Sequence, residues 1–473
     1  MNTCTPRLRR TLVSWLSIAA LIHGAAAQAA ALESEAPTVT LGIDIAIQAA
    51  AGRNAFWGLA QTFAPAAGYR DSIAWVEGYA KPYLKAQRNL GASTTLYGGA
   101  SVIATGTWGE DVFQQGATGR LLVEDAYLGW RGAFGDGWTY DLSAGAQRYE
   151  LGRGLLLAVG AGNGFERGAA AMAPRRAWQM TGVARVATNG WTAEGFYLDP
   201  NELASGDTGT RLVGGRVEWS AGKTAALGLA YFEVLASDAP YPKAPVEIID
   251  GGRDGLGTTG LYWRYEPDAG ALAGLSFSGE AAWQSNGAIG MTGRGIGVEV
   301  AYRFAQAPLT PRLSYSPRYF SGDDPRTADR LERFDPLFYD PGPAAWSSGG
   351  NGSFAFYNSN LVVQRLRLDL VLSPHDFVNL NYWYVRAAQV DSPVQYGQAG
   401  RVLVTDSGTL LVSGFPKAPL SQEFYVEHTR ALSANAFLTW GLAGAFPQDG
   451  VKAVVTTGAK DWWGALVNFS LRY

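Results

Sequence analysis

Residues 39–47 read Val39-Thr40-Leu41-Gly42-Ile43-Asp44-Ile45-Ala46-Ile47, in which every second residue is a branched apolar one. Successive side chains of a β-strand point to opposite faces, so this stretch predicts a strand with one apolar and one polar or small face. Similar alternation recurs at residues 365–372 and 463–473, with Leu466 as the exception. A water-soluble β-sandwich also shows such alternation, so the fold class depends on how these segments are connected.

Period-two segments continue along the chain and predict about 18 strands. Their centres fall near residues 43, 80, 99, 126, 144, 182, 195, 215, 230, 261, 279, 299, 315, 367, 382, 425, 440 and 467. Long connections are expected at 49–71, 107–118, 150–175, 199–209, 236–256, 285–293, 321–357, 388–420 and 447–461. Short ones centre on 89–91, 135–137, 189–190, 222–223, 268–270, 307–308, 373–375 and 433–434.

The strict alternation of long and short connections decides between the two fold classes. One end of an outer-membrane barrel carries tight periplasmic turns and the other carries extracellular loops, whereas a sandwich has no reason to keep this parity. The sequence therefore predicts one all-β domain, residues 32–473, forming a transmembrane antiparallel up-and-down β-barrel. An even strand count places both termini at the periplasmic end.

The composition agrees with a membrane barrel. Charged residues make up only 17% of the chain, below the roughly 25% of a typical soluble domain. The mean hydropathy of −0.04 is too low for a bundle of membrane helices, but it is what strands with one lipid-facing and one polar face average to. The formal net charge of −3 is mild and does not indicate a nucleic-acid partner.

The first residues predict a cleavable Sec-type signal peptide, residues 1–31. Three arginines between residues 7 and 10 precede a short apolar run at 11–22, and alanine triplets at 25–27 and 29–31 offer cleavage sites. The run is shorter than the roughly 20 residues that a membrane-spanning helix needs. Because Cys4 is the only cysteine, the mature protein would carry no thiol, as suits passage through an oxidising periplasm to the outer membrane of a Gram-negative bacterium.

A barrel of about 18 strands can enclose an aqueous channel whose charged side chains set its selectivity. The leucines at 366, 368, 370 and 372 must meet lipid, since exposing them to water would cost roughly 1.5–3 kcal/mol each. The pleat then directs Arg365, Arg367 and Asp369 into the lumen. The predicted channel-lining residues are Arg148, Arg185, Arg303, Arg312, Arg318, Arg365, Arg367, Asp369, Glu124, Asp141, Glu194, Glu280 and Glu299. The alternative for each is a cross-lumen ion pair that holds strand register.

One motif precedes the strand with alternating leucines and arginines. It reads Arg333-Phe334-Asp335-Pro336-Leu337-Phe338, followed by Phe356-Tyr357-Asn358-Ser359-Asn360-Leu361. Upstream lie Gly145-Ala146-Gln147-Arg148, Leu151-Gly152-Arg153-Gly154-Leu155 and Arg175-Arg176, and downstream lie Ser421-Gln422-Glu423-Phe424 and Gly444-Ala445-Phe446-Pro447. In this order, over most of the mature chain, these stretches resemble the alginate export family of outer-membrane porins. Its signature residues would be Phe334, Asp335, Pro336, Leu337, Phe338 and Asn360.

The resemblance implies a passive porin in which a mainly arginine-lined constriction passes an anionic oligo- or polysaccharide, or other small anions. Guanidinium groups suit carboxylates because they can bind them with two parallel hydrogen bonds. The chain departs from the family pattern where a "GRQ" motif reads Gly145-Ala146-Gln147-Arg148 and where "FDG" is absent after Arg176. The short turn at 433–434 also leaves no room for a long periplasmic plug.

Two other functions stay open at this point: a general or different-substrate diffusion porin, and, more distantly, a barrel enzyme. Barrel hydrolases need a base beside a serine, but His375 and His428, the two histidines after the signal peptide, both lie near the predicted periplasmic end. So few histidines and no mature cysteine offer no metal-ligand pattern. We therefore expect no catalytic residue, cofactor or metal.

The expected partners follow from the barrel and from the resemblance. Outer-membrane lipid and lipopolysaccharide would surround the apolar outer face. The barrel-assembly machinery would recognise the last strand, which ends at Tyr473. An anionic polysaccharide would be the solute, and no nucleic acid is expected.

Overall fold

The computed structural model describes residues 36–473 apart from 64–65, 67, 92, 115, 244–246, 328, 341–350, 394–401, 406–407 and 412–413. The predicted signal peptide, residues 1–31, lies outside the described residues. Eighteen strands form one antiparallel sheet. They are β1 Thr38–Arg53, β2 Ser72–Asn89, β3 Thr94–Glu110, β4 Gly116–Phe134, β5 Trp138–Ala146, β6 Met180–Thr188, β7 Trp191–Asp199, β8 Arg211–Ala221, β9 Ala225–Ala236, β12 Gly257–Tyr265, β13 Leu275–Asn286, β14 Met291–Arg303, β15 Arg312–Phe320, β16 Leu361–Ser373, β17 Asp376–Ala387, β20 Pro419–Ala431, β21 Ala436–Pro447 and β22 Trp462–Arg472.

The remaining described elements are short and lie in the connections. Two hairpins pair β10 Tyr241–Lys243 with β11 Glu247–Ile249, and β18 Val402–Thr405 with β19 Gly408–Leu411. The α-helices are Leu59–Phe63, Gly352–Ala355 and Asp449–Val454, and the 3-10 turns are Ala55–Gly58, Phe165–Arg167 and Ala204–Gly206. None of the helices in the described part of the chain is both long and apolar enough to cross a membrane.

The first and last strands close the sheet into a barrel. Strand β1 pairs with β22 from Asp44 opposite Arg472 to Arg53 opposite Trp463. Every barrel strand thus has two neighbours, which satisfies backbone N–H and C=O groups that lipid could not. The predicted fold class, a closed antiparallel barrel of 18 strands, is confirmed, and each of the 18 predicted strand centres falls within one of these strands.

The pleat separates a lipid-facing surface from the lumen as the alternation predicts. On β16, Arg365 points inward and is only 2% exposed, whereas its neighbour Leu366 is 45% exposed on the outer face. On β22, Val467 and Phe469 are exposed outside, and Asn468 lines a cavity inside. Outward apolar side chains meet hydrocarbon, so their exposure in the isolated chain is expected.

The connections keep the predicted order, but four of them differ in length from the prediction, so the strict alternation of long and short connections does not hold there. Those at 107–118 and 285–293 were expected to be long, yet the strands continue and leave tight connections at 111–115 and 287–290. Thr107 pairs with Glu77 on β2 and with Thr118 on β4, so a stretch rich in glycine and threonine is held as strand by its neighbours. At the opposite end, called here the short-turn end, the connections at 266–274 and 304–311 were expected to be short, yet both are longer than these two.

The hydrophobic core lies inside the barrel, because two connections fold into the lumen. These are residues 147–179 between β5 and β6, called here the crossing loop, and the 321–360 loop between β15 and β16. Trp178 and Phe334 from these loops are fully buried, as is Trp57 from the connection after β1. The Trp57 indole N–H donates to the carbonyl of Ala445 at 2.9 Å, which ties this core to the wall.

Candidate channel lumen

The crossing loop spans the lumen between two glutamates on opposite walls. Glu280 on β13 accepts the backbone N–H groups of Arg153 and, at 2.8 Å, of Leu155. Glu77 on β2 accepts those of Met172 at 2.7 Å and Ala171 at 3.3 Å. Strands β2 and β13 are nine positions apart in the ring of 18, so the loop forms a chord across the barrel.

Glycines let the loop approach Glu280. Gly152 and Gly154 have φ values of +61° and +82°, a left-handed conformation that other residues rarely adopt. A Cβ atom at Gly152 would lie 2.6 Å from Oε1 of Glu280, where a side chain cannot fit. The Leu151-Gly152-Arg153-Gly154-Leu155 motif therefore forms a turn whose amides converge on one carboxylate. The glycine spacing was visible in the sequence, but its partner on a distant strand was not.

Glu124 on β4 is a third anchor. Its buried carboxylate accepts the Arg175 Nε at 2.9 Å and the backbone N–H groups of Arg176 and Ala177 at 2.8 and 2.9 Å. The Arg176 guanidinium in turn contacts Asp340 of the 321–360 loop at 2.7 Å. Glu124, predicted to line the channel, thus points inward but lies beneath the crossing loop.

The two inward loops pair with each other through their backbones. Phe338 donates its N–H to the carbonyl of Leu156 at 2.9 Å and accepts the N–H groups of Ala158 and Val159 at 2.9 and 3.0 Å. Asp340 donates to Gly154 at 2.8 Å. The lumen is therefore narrowed by one joined body rather than by two independent loops.

Asp335 fastens the 321–360 loop to the wall. Its carboxylate forms two hydrogen bonds, each 2.9 Å, with the Arg253 guanidinium, and its backbone N–H and C=O each bond to the Gln284 side chain at 2.8 Å. Burial by itself would raise the pKa of Asp335, but the Arg253 guanidinium and the backbone N–H of Leu337 hold that pKa below its usual value. Asp335 thus stays ionised at neutral pH.

The other residues of the sequence motif are also structural contacts. Phe334 and Leu337 are buried, and Phe334 packs against Phe320 with ring centroids 5.4 Å apart. Asn360 is fully buried with a φ of +52°, and its side-chain amide donates to the carbonyls of Gln389 and Ser392, both at 3.1 Å. The motif from Phe334 to Asn360 therefore holds the inward loops in place.

The predicted arginines of β14–β16 face the lumen together, and we call them the arginine wall; its members are Arg303, Arg312, Arg318, Arg365 and Arg367. Arg312 bonds Glu299 at 2.8 Å and lies 3.7 Å from Asp369, which Arg367 contacts at 2.6 Å. Arg318 is largely buried beside the carboxylate of Glu280, and both residues line a small cavity.

Arg365 is held without a carboxylate. Its Nε and Nη2 donate to the neutral Asn381 Oδ1 at 3.1 and 2.8 Å, and its guanidinium lies 5.5 Å from the centre of the Trp383 ring. Within the described part of the chain, no carboxylate oxygen lies within 4 Å of Arg365, Arg303 or Arg148. These three arginines, all predicted to line the channel, therefore have no ion-pair partner among the described residues.

The other predicted residues form a paired cluster on β5–β8. Glu194 accepts hydrogen bonds from Arg185, from Arg216 and, at 2.9 Å, from Tyr149 of the crossing loop. Asp141 lies opposite Arg185 in the register and accepts a hydrogen bond from the Tyr97 hydroxyl. These contacts are those expected from the alternative interpretation, in which charged residues pair across strands and hold the strand register.

The space that the loops leave open includes two cavities on one side of the barrel. One, of 390 Å³, lies between β20–β22, β1 and β2 and the loop residues Met172 and Phe354. The second, of 540 Å³, lies towards the short-turn end beneath Arg148 and Pro174 of the crossing loop. Tyr79 lines both cavities. The sequence did not single out this side of the barrel, although its inward residues alternate on β1 and β2.

The described residues contain no group of three or more His, Cys, Asp or Glu side chains that could hold a metal ion. His428 lies on the outer face near the short-turn end and contacts Asp376 at 3.1 Å. His375 lies in the turn before β17.

A family model described as alginate export matches residues 116–402, well over half of the chain. No curated protein sequence is significantly similar to it. Solved structures with the same fold include a variant of OccD1 (OprD), with a TM-score of 0.54 and 11% identity, covering 93% of this chain and 97% of that one. OpdK of Pseudomonas aeruginosa, solved with vanillate, has a TM-score of 0.52 and 9% identity, covering 92% and 98%.

Proposed function

Because the chain belongs to the alginate export family, and is thus an outer-membrane channel rather than an enzyme, we propose that it passively conducts anionic solutes. The solute class is an anionic oligo- or polysaccharide, alginate-like in carrying carboxylates on sugar rings, or another small anion. A passive channel has no built-in direction, so export and uptake follow the concentration gradient.

The charge balance of the arginine wall carries this proposal. Its five guanidinium groups lie beside three inward carboxylates of β13–β16, those of Glu280, Glu299 and Asp369. Among the described residues, no carboxylate oxygen lies within 4 Å of Arg365 or Arg303. Arg365 is also fixed in place by neutral groups, so its charge is positioned without being cancelled. Uncompensated positive charge in a narrow, low-dielectric passage attracts anions and repels cations.

The same proposal includes how the protein reaches its site. Residues 1–31 would direct export and be removed, and the barrel-assembly machinery would recognise β22 with its terminal Tyr473. The outer face would then contact lipid and lipopolysaccharide, with the short-turn end in the periplasm.

Ion selectivity tests the proposal. The mature protein in planar bilayers, under a potassium chloride gradient, should give a reversal potential that indicates preference for chloride. Changing Arg303→Gln and Arg365→Gln together should reduce that preference, because two cationic side chains are removed from the lumen. Arg430→Gln is the matched control, since Arg430 is an exposed arginine on the outer side of β20.

Heat-dependent migration on gels would confirm that each variant is folded, and Arg303→Gln alone, at an exposed position, provides a second variant. Cation preference in the parent protein, or equal loss of selectivity in the Arg430→Gln control, would contradict the proposal. Absence of any preference would favour a general diffusion porin.

A further inference from the structure

The 540 Å³ cavity at the short-turn end, called here the recess, is separate from the arginine wall. It is lined by inward residues of β1–β4 and β22 and by Gln147, Arg148 and Pro174 of the crossing loop. Between β22 and β16 lie three strands of the ring, so the recess occupies another part of the wall. Tyr79 lines both the recess and the 390 Å³ cavity.

The recess carries an excess of positive charge. Four cationic side chains line it, Lys81, Lys85, Arg148 and Arg472, against two carboxylates, Asp44 and Asp125. Both carboxylates are close to Lys81, at 4.0 and 3.6 Å, and Asp125 also accepts the Ser101 hydroxyl at 2.6 Å.

The two arginines of the recess are available for a ligand. Among the described residues, no carboxylate oxygen lies within 4 Å of Arg148 or Arg472, although Arg472 is opposite Asp44 in the register. Both side chains are exposed to the recess. Guanidinium groups with free donors are suited to a carboxylate, which they can bind through parallel hydrogen bonds.

Tyrosine rings on β2–β4 form another part of the lining. Tyr127 lies across Gly99 of the neighbouring strand, where a Cβ atom would be 2.8 Å from its ring, and Tyr97 and Tyr83 lie over Gly129 and Gly42 in the same way. Because glycine has no side chain, each ring can lie against the wall. The cationic ends of Lys85 and Arg131 lie over the Tyr83 and Tyr97 rings, 5.4 and 5.1 Å from the ring centres, so Tyr127 is the ring that a ligand can contact. The Tyr97 and Tyr127 ring centroids are 6.4 Å apart. Aromatic faces of this kind bind flat rings and the C–H faces of sugars.

We propose that the recess is a binding site for a ring compound that carries a carboxylate, with Arg148 and Arg472 binding the carboxylate and Tyr127 contacting the ring. The proposal rests on the anion conduction proposed above and names the solute class at a second position of the same pathway. A sugar acid and an aromatic acid share this chemistry. For a sugar acid, the carboxylate of Asp125 and the side-chain carbonyl oxygen of Gln147 can accept hydrogen bonds from ring hydroxyls.

Blockage of the chloride current by added solute tests the site. Glucuronate and benzoate should each reduce single-channel conductance at lower concentrations than acetate, which lacks a ring, and than glucose, which lacks a charge. Changing Arg148→Gln and Arg472→Gln together should raise the half-blocking concentration of both ring acids by about tenfold or more, since each loses charge-assisted hydrogen bonds. Arg430→Gln, on the outer face, should leave it unchanged.

Tyr127 separates ring recognition from simple charge attraction. Tyr127→Leu should bring glucuronate and benzoate to the half-blocking concentration of acetate, and Tyr127→Phe should retain the parent values. A lower half-blocking concentration for glucuronate than for benzoate would identify a sugar acid, and the reverse would identify an aromatic acid.

One result would contradict the binding site and another would contradict the proposed function, and the two can be told apart. Suppose that the parent channel prefers chloride. If the ring acids then block no better than acetate, or if they block the double arginine variant at the same concentration as the parent, the recess is not a binding site and the proposed function stands. If the parent channel prefers potassium before any solute is added, the proposed function itself fails.

Discussion

Glu77 and Glu280 lie on diametrically opposite strands of the barrel, and both bind backbone amides of the same loop. Each carboxylate accepts two N–H groups that would otherwise be buried without partners. The wall therefore determines where the crossing loop lies and how wide the remaining passage is.

Removing these anchors should widen the channel. Glutamine keeps one acceptor oxygen but places an NH₂ group where a second acceptor is needed, so each loss should weaken docking by about 1.5–3 kcal/mol. We expect Glu77→Gln with Glu280→Gln to show larger and noisier single-channel conductance. Glu247→Gln is the control, because Glu247 is an exposed carboxylate of the β10–β11 hairpin that pairs with Lys243. Parent-like conductance of the double variant would show that the loop does not depend on these carboxylates.

Asp335 should determine the stability of the 321–360 loop, and Asp324 should not. Asp335→Asn removes the charge that pairs with the largely buried Arg253, at a cost of about 3–5 kcal/mol, whereas Asp324 pairs with an Arg326 that is 84% exposed. Limited proteolysis in detergent should cut the first variant within this loop faster than the parent, and should leave Asp324→Asn like the parent. Equal rates for both variants would contradict this role.

The same pair has a defined pH dependence. The folded protein holds the pKa of Asp335 below its usual value, about 3.9 in an unfolded chain. Its stabilising contribution is therefore fully present above that unfolded value and is lost as the pH falls through the lower, folded pKa. Protease sensitivity of the parent loop should stay constant from pH 8 to about pH 5 and rise only under strongly acidic conditions. A rise between pH 7 and pH 5 would mean that another group controls the loop.

Cysteine labelling tests topology and processing together. Because Cys4 is the only cysteine and lies in the predicted signal peptide, the mature protein should not react with a thiol reagent. A membrane-impermeant maleimide should label Asp207→Cys, an exposed position at the long-loop end, on intact cells. Asp136→Cys, in a short turn, should react only after lysis. The reverse pattern would show that the barrel has the opposite orientation in the membrane. Labelling of the unsubstituted protein would indicate an uncleaved signal peptide.

The sequence predicted the strands because their determinants are local. The leucines at 366–372 assign both faces of β16 within a single segment. The turn lengths at 111–115 and 287–290 were wrong because strand continuation there depends on neighbouring strands far away in the sequence. For the same reason the sequence placed Arg365 on the inner face but could not show that Asn381 and Trp383 would cover it. Glu77 binds two backbone amides of the crossing loop, but no local sequence pattern distinguishes it from any other inward polar residue.

The seam between β1 and β22 has a consequence for biogenesis. Ile43 of β1 and Tyr473, which follows β22, exchange two backbone hydrogen bonds, of 2.8 and 2.9 Å. These contacts cannot form until the final residues have been synthesised, so every shorter nascent chain presents two unpaired strand edges that can bind other strands. The barrel must therefore be kept from aggregating throughout translation and translocation, and it becomes self-contained only when its last strand arrives.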